Sequence, residues 1–223
     1  MSKISYPNES IEYRKARNDL LKAELKLREQ IERVAEQRRN LPPGGKIKTD
    51  YIFQELKDGA VSEIKLSELF GSKNILFLYS FMYSPDMDAA CPMCTSLIDG
   101  LDGQMIHIEQ HVSLAIVAKH TLETIHQHAE ERGWSRLRLL SSAKNSFNVD
   151  YFGEVDGRQI TNANVFVREG DSIRHFWGSE MTLAPMIKDG NMRHLDLIWP
   201  LWNVLDMTPA GRGQWYPALK YSG

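Results

Sequence analysis

The stretch from residue 74 to residue 82 is the most apolar part of the chain and constrains the fold more than any other feature. Its core, Ile75-Leu76-Phe77-Leu78-Tyr79, shows no alternation between apolar and polar side chains. A strand with one solvated face alternates, whereas a strand covered on both faces does not. The pattern therefore predicts a central strand in a sheet that is covered on both sides. The run is also far shorter than the roughly 20 residues of a membrane helix, so we expect no membrane partner.

The rest of the chain alternates strands with helices. A strand, a helix and a parallel strand in succession are typical of the α/β class, which we predict here. Residues 144–159 are polar and predict a loop, and Pro200 should kink or restart the last helix. Predicted strands lie at 51–56, from 61 onward, and at 74–82, 112–117, 137–140, 164–168 and 172–177; predicted helices lie at 8–40, 68–70, 91–111, 121–132 and 193–206.

Residues 1–45 form a separate feature, an N-terminal helical arm ahead of a domain spanning 46–223. Within residues 8–40, apolar residues recur at helical spacing, and a run of proline and glycine then ends the helix. A helix with one apolar stripe must bury it, either on its own domain or on a second subunit. The second option predicts a homodimer. The stripe consists of Leu20, Ala23, Leu27, Ile31 and Val34.

Composition excludes several classes of protein. The 223 residues are 42% hydrophobic and 25% charged, an ordinary globular balance that excludes disorder or a fibre. With 27 basic and 29 acidic residues the formal charge is −2, which argues against nucleic acid as a partner. The first ten residues contain no apolar stretch typical of a secretory signal, so we expect a cytoplasmic protein.

The two cysteines of the chain, Cys91 and Cys94, are three residues apart and follow the predicted central strand. Pro92 suits the first position of a helix, which would make Cys91 its N-cap. Unpaired N–H groups and the helix dipole at such a position favour a thiolate and lower the pKa of a cysteine. Cys91 is then the predicted nucleophile and Cys94 the resolving thiol, although Asp86 and Asp88 upstream would oppose ionisation of Cys91.

Five segments together resemble a bacterial thioredoxin-like family of unknown function. The resemblance implies a thioredoxin-like fold, with a central mixed β-sheet flanked by helices, and covers nearly the whole chain; it implies no particular substrate. The segments are residues 61–70, residues 80–86 with Phe81, Met82 and Pro85, the motif Cys91-Pro92-Met93-Cys94, residues 99–103, and residues 205–213 with Arg212.

The chain is also similar to peroxiredoxins and thioredoxins but departs from both. Asp88 occupies the position, three before the cysteine, where peroxiredoxins carry threonine, and residues 162–166 offer no arginine for a peroxide pocket. Because peroxide cleavage needs donors and positive charge, peroxidase activity is the less favoured reading. Ala90 replaces the tryptophan of thioredoxins, and residues 161–164 lack their cis-proline. In thioredoxins this proline keeps metals away from the two thiols, so its absence leaves a metal site at Cys91 and Cys94 more open.

A metal site is the main alternative for the cysteines. Cys91-x2-Cys94-x12-His107-x3-His111 fits a zinc-finger spacing, although one continuous helix would separate Cys94 from His107 by about 20 Å. Methionines around the cysteines leave a copper site open.

Two predictions concern residues outside the cysteine motif. Arg212 either binds an anion or pairs with a carboxylate. His120, His126 and His128 are predicted to be solvated.

Two functional hypotheses follow for Cys91 and Cys94. The first is a cytoplasmic thiol–disulfide oxidoreductase that acts on a disulfide-containing protein or a small thiol. It needs no cofactor, because the two thiols themselves carry two electrons. The second is a non-enzymatic protein that uses the same fold and cysteines to bind a partner or a metal.

Overall fold

The computed structural model describes residues 4–184 and 196–221, and the chain divides into two compact units, one ending at Pro42 and the other starting at Pro43. The first unit contains helix α1 (Ile11–Arg39). Its N-cap is Ser10, whose hydroxyl accepts a hydrogen bond from the backbone N–H of Tyr13. The helix predicted over residues 8–40 is confirmed.

The described residues of the second unit form a mixed sheet of seven strands. In order across the sheet these are β2, β1, β5, β4, β3, β8 and β9. Their bounds are β1 (Ile52–Lys57), β2 (Ala60–Lys65), β3 (Ile75–Phe81), β4 (Ser113–Ala118), β5 (Arg138–Ser141), β8 (Asn162–Glu169) and β9 (Ser172–Gly178). β3 pairs with β4 in parallel and with β8 in antiparallel orientation, so it lies inside the sheet.

Within the described part of this unit, five helices accompany the sheet: α2 (Leu66–Leu69), α3 (Pro92–Ile108), α4 (Leu122–Arg132), α5 (Phe147–Asp150) and α6 (Pro200–Asp206). α3, α4 and α6 contribute to one buried apolar cluster, which also contains Tyr79 and Phe81 of β3. α2 and α5 contribute to a second cluster, which contains Leu76 and Leu78. Alternate residues of β3 thus enter different clusters, which explains why its sequence does not alternate. The predicted thioredoxin-like α/β fold is confirmed.

Residues 144–159 differ from the predicted loop. They contain α5 and a small hairpin formed by β6 (Glu154–Val155) and β7 (Arg158–Gln159). Phe147 of α5 is fully buried in the second cluster and contacts Tyr51 and Phe53 edge to face. Tertiary packing therefore stabilises a helix of four residues, which is too short to be stable alone.

A new helix starts at Pro200, which is one of the two outcomes predicted for this proline. α6 begins there after a 3-10 turn at Asp196–Ile198, and residues 193–195 of the predicted helix lie outside the described residues. Proline suits this first position because it lacks an N–H group and has a helical φ angle. Among the described residues, no helix has the length and apolar character needed to cross a membrane.

Candidate active site

Cys91 is the N-cap of α3, as the sequence predicts. The chain leaves β3 at Phe81, and the backbone N–H of Cys91 then donates to the carbonyl oxygen of Met82 over 3.1 Å. Cys91 has extended backbone angles, and Pro92 is the first helical residue. The backbone N–H of Cys94 donates to Sγ of Cys91 over 3.5 Å. The nucleophile predicted from sequence therefore sits in a hydrogen-bonded helix cap.

The environment of Cys91 favours its thiolate. Its pKa is lowered to about 6, chiefly by a hydrogen bond from the thiol of Cys94, while burial opposes this shift. Hydrogen bonds from the backbone N–H groups of Cys94 and Met93 lower the pKa further. Asp86 and Asp88, expected to oppose ionisation, are not among the groups that set this pKa.

Cys94 lies one helical turn further and is 1% exposed, whereas Cys91 is partly exposed. Burial is the largest cause of the raised pKa of Cys94, and the hydrogen bond and charge of Cys91 add to it. A hydrogen bond with Tyr79 and the backbone of Met82 act in the opposite direction. Near neutral pH, therefore, Cys91 is ionised and Cys94 is not.

Tyr79 and Thr161 belong to the surroundings of the thiols and were not singled out from the sequence. Tyr79 is 1% exposed in the same buried cluster as Cys94, and it lowers the pKa of the Cys94 thiol. Thr161 precedes β8, the neighbour of β3, and its hydroxyl donates to the Tyr79 oxygen over 2.5 Å. One feature of the sequence could have indicated Tyr79: a tyrosine inside a strand predicted to be buried needs a hydrogen-bond partner for its hydroxyl.

The acidic residues of the segment 99–103 hold α3 against the loop that follows α4. Asp99 accepts hydrogen bonds from Arg132 at 2.5 Å and from the indole N–H of Trp134 at 2.7 Å. Asp102 accepts from the backbone N–H groups of residues 135 and 136 at 3.1 and 2.9 Å. These carboxylates therefore have a structural explanation that requires no ligand.

The predicted solvation is wrong for His128, which is 8% exposed. Its Nε2 lies 3.1 Å from the hydroxyl of Thr95 on α3, and burial lowers its pKa. Phe81 and Trp134 pack around its ring at centroid distances of 5.7 and 5.3 Å. The reason is that α4 turns this position toward the sheet. His126 is partly buried as well, and burial also lowers its pKa.

The zinc alternative is not supported by the geometry. α3 runs without a break from Pro92 to Ile108, so Cys94 and His107 lie about 20 Å apart along one axis. Gly100 and Gly103, which could have broken the helix, are helical. Within the described part of the chain, no three histidine, cysteine, aspartate or glutamate side chains gather at metal-binding distance.

Arg212 pairs with a carboxylate. Its Nε and Nη2 donate to the two carboxylate oxygens of Asp206, each over 2.8 Å. The guanidinium also lies over the ring of Trp202, 5.2 Å from its centroid. Of the two options left open by the sequence, the structure therefore favours the ion pair. It anchors the segment after α6.

The fold, with two thiols at the start of the helix that follows the central strand, defines a thioredoxin-like protein. The chain belongs to the family described as "Bacterial protein of unknown function (DUF899)", which matches residues 4–221. This confirms the resemblance found in the sequence. No curated protein matches the chain.

Several solved structures are similar to the chain at low identity. Peroxidoxin BcpB from Mycobacterium tuberculosis is 16% identical, with 74% of this chain and 99% of that chain covered and a TM-score of 0.46. Thioredoxin peroxidase I from Plasmodium yoelii is 16% identical, with coverages of 82% and 100% and a TM-score of 0.46. AhpC from Enterococcus faecalis is 13% identical, with coverages of 73% and 93% and a TM-score of 0.46.

Proposed function

We propose that the protein is a thiol–disulfide oxidoreductase in which Cys91 is the nucleophile and Cys94 resolves the mixed disulfide. The observation that carries the proposal is the asymmetry of the two thiols. Cys91 is partly exposed at a helix N-terminus with a pKa of about 6, whereas burial raises the pKa of Cys94. A thiolate beside a protected thiol is the arrangement that thiol exchange requires.

The reaction proceeds in two exchanges. The Cys91 thiolate attacks one sulfur of a substrate disulfide, that S–S bond breaks, and the first substrate thiolate leaves and takes a proton from water. Cys94 then loses its proton and attacks Sγ of Cys91, which releases the second substrate thiol with that proton. The substrate gains two electrons, and Cys91 and Cys94 are left as a disulfide. Return to the dithiol needs an external thiol reductant.

Trapping with Cys94→Ser tests the assigned roles. This variant keeps the nucleophile but lacks the resolving sulfur, so a mixed disulfide on Cys91 should accumulate when the protein meets a disulfide-containing peptide. Cys91→Ser is the matched control and should trap nothing, because burial disfavours the thiolate of Cys94. Nonreducing mass spectrometry measures both adducts. Equal trapping by the two variants would contradict the assignment.

The redox potential separates this function from a binding role. We expect a disulfide that forms reversibly in a thiol redox-buffer series at a potential above roughly −300 mV, the range of labile and catalytic disulfides. Metal content of protein purified without chelator is measured in parallel. Unreactive thiols together with one zinc per chain would overturn the proposal in favour of metal binding.

A further inference from the structure

A cavity of about 820 Å³ opens on the face of the sheet that lies away from the thiols. Its lining includes Asn164 of β8, which stands opposite Leu78 of β3 and therefore points to the same face. Leu78 belongs to the second apolar cluster, whereas Cys94 belongs to the first, so the sheet separates the cavity from the thiols. A cavity of this volume is large enough to hold a small molecule.

Two buried asparagines fix the backbone at the edge of this cavity. The side-chain amides of Asn162 and Asn164 both donate to the carbonyl oxygen of Tyr151, over 3.1 and 3.2 Å. The two asparagines are 3% and 2% exposed. The next residue, Phe152, has a φ angle of 56°, which is a strained conformation for a bulky side chain. The two amides therefore hold a turn that the local sequence disfavours.

The strained turn places an aromatic ring at the cavity. Phe152 lines the cavity and is 53% exposed, whereas the preceding Tyr151 packs against the second cluster. The phenyl ring thus forgoes the stabilisation that burial would give it, in addition to the backbone strain. Strain of this kind persists where the surrounding structure enforces it, and it is concentrated at ligand sites and active sites. The conformation of Phe152 therefore points to a ligand that packs on its ring.

His175 supplies a hydrogen-bond acceptor. Its Nε2 lies 2.9 Å from Oδ1 of Asn164. Because the amide nitrogen of Asn164 donates to Tyr151, Oδ1 is the acceptor in this contact and Nε2 of His175 carries the hydrogen. Burial lowers the pKa of His175, so at pH 7 the ring is neutral and Nδ1 keeps its lone pair. No donor among the described residues bonds Nδ1, and this atom is open to solvent.

The charges around the cavity favour an uncharged ligand. The carboxylate of Asp150 already accepts hydrogen bonds from Lys48 and Tyr51. The other charged residues of the lining, Lys46 and Glu180, are exposed and opposite in sign. Because neither sign dominates, recognition depends on the apolar surface and on the hydrogen-bonding groups.

We propose that this cavity binds a neutral aromatic molecule that carries an N–H or O–H donor. The ligand ring packs on Phe152 beside Met181 and Leu183, and its donor bonds Nδ1 of His175. An aromatic ligand fits better than an aliphatic one, because paired rings attract each other beyond the effect of the buried area. Such a site is independent of the thiol exchange, because neither cysteine lines the cavity.

Three probes test the chemistry of the ligand. Indole carries a ring and an N–H donor, 1-methylindole lacks the donor, and cyclohexanol has a donor but no aromatic ring. We expect indole to bind with a Kd of about 1 mM or below, and each of the other two to bind about fivefold more weakly. Titrations followed by NMR measure the affinities. The nitrogen resonance of Nδ1 of His175 should shift with indole and not with 1-methylindole.

Either outcome of these titrations is decisive. The expected order of affinities, together with the shift of Nδ1, supports the site. An affinity for 1-methylindole or cyclohexanol equal to that for indole would overturn the proposal, and so would the absence of indole binding.

Phe152→Gly separates ligand binding from stability. Glycine adopts a positive φ angle without strain, so the variant should unfold at an unchanged or higher urea concentration, yet bind indole about fivefold more weakly. Asp58→Gly is the matched control, because it relaxes a φ angle of 52° in the turn between β1 and β2, and it should leave the affinity unchanged. Unchanged affinity in Phe152→Gly, or a large loss of stability, would show that the strained ring does not serve a ligand.

His175→Phe tests the acceptor. The variant keeps an aromatic ring beside Tyr151, whose ring centroid lies 5.6 Å from that of His175, but it lacks Nδ1. It should therefore bind indole and 1-methylindole equally well. A retained preference for indole would overturn the role of His175. If the variant fails to fold, the three probes and Phe152→Gly still decide the proposal.

Discussion

The backbone N–H of Cys94 points at the sulfur of Cys91 over 3.5 Å, and the neighbouring thiol of Cys94 is the largest cause of the lowered pKa of Cys91. Cys94 thus lowers the pKa of Cys91. The same contact raises the pKa of Cys94, so the arrangement assigns the negative charge to Cys91 alone. This dependence leads to the first prediction.

Alkylation should discriminate between the cysteines and follow the pKa of Cys91. With iodoacetamide at pH 7, we expect Cys91 to react at least about 100-fold faster than Cys94. The reason is that Cys91 is ionised and partly exposed, whereas Cys94 is a buried thiol. Its rate should be half-maximal near pH 6 and fall about tenfold per pH unit below that, as the thiolate is protonated. Peptide mass spectrometry across pH 4–9 measures both rates.

Two variants of Cys94 test the cause of the shift. Cys94→Ala removes the side-chain donor to Cys91, so the midpoint of Cys91 alkylation should move to higher pH. Cys94→Ser keeps a hydroxyl donor and should move it less. The backbone N–H is present in both variants, so neither should restore the ordinary pKa of a cysteine. Identical midpoints in the three proteins would show that the thiol of Cys94 has no such effect.

Oxidation by hydrogen peroxide should be slow. Arg168, the arginine of β8, lies at the strand end opposite the thiols and donates to the backbone carbonyls of Gly71 and Lys73 over 2.9 and 2.6 Å. This arginine therefore offers no positive charge to an anion that develops beside Cys91. Stopped-flow oxidation should give a rate constant orders of magnitude below the diffusional ceiling of about 10⁸ M⁻¹s⁻¹. A value within tenfold of that ceiling would contradict the argument.

Asp102→Ala should destabilise the fold by about 2–4 kcal/mol, because it leaves the backbone N–H groups of residues 135 and 136 without their acceptor. Arg136→Ala is the control: it removes only the ion pair at 3.6 Å, whose arginine side chain is 54% exposed. That pair should contribute about 1 kcal/mol or less. Urea unfolding of both variants measures the difference, and equal losses would disprove the role of the N–H acceptor.

The apolar stripe of α1 should form a homodimer interface. Removing residues 1–42, the whole first unit, should convert a dimer into a monomer or an aggregate in analytical ultracentrifugation. Leu27→Glu, on the stripe, should weaken the dimer, whereas Glu29→Gln, off the stripe, should not. A well-folded truncated protein of unchanged oligomeric state would refute the prediction.

Local patterns in the sequence were sufficient to place α1, β3 and the Cys91 cap. Each depends on neighbours within a few residues: apolar spacing for α1, an unbroken apolar run for β3, and Pro92 after Cys91 for the start of α3. The order of strands and helices also predicted the α/β class, and the resemblance of several segments to a known family implied the thioredoxin-like fold. Periodicity and capping are local properties, so one sequence reveals them.

Tertiary structure alone decided which side chains surround the thiols. Tyr79 and Thr161 are 82 positions apart and meet because β8 pairs with β3, an adjacency that no local pattern specifies. His128 is buried and the segment around Phe147 is helical for the same reason. In both places, packing against residues distant in the chain outweighs the polarity of the local sequence. The sequence by itself thus determined where the reactive cysteine stands and which elements carry it. The order of strands in the sheet determined the hydrogen bonds around it, because those contacts join residues far apart in the chain.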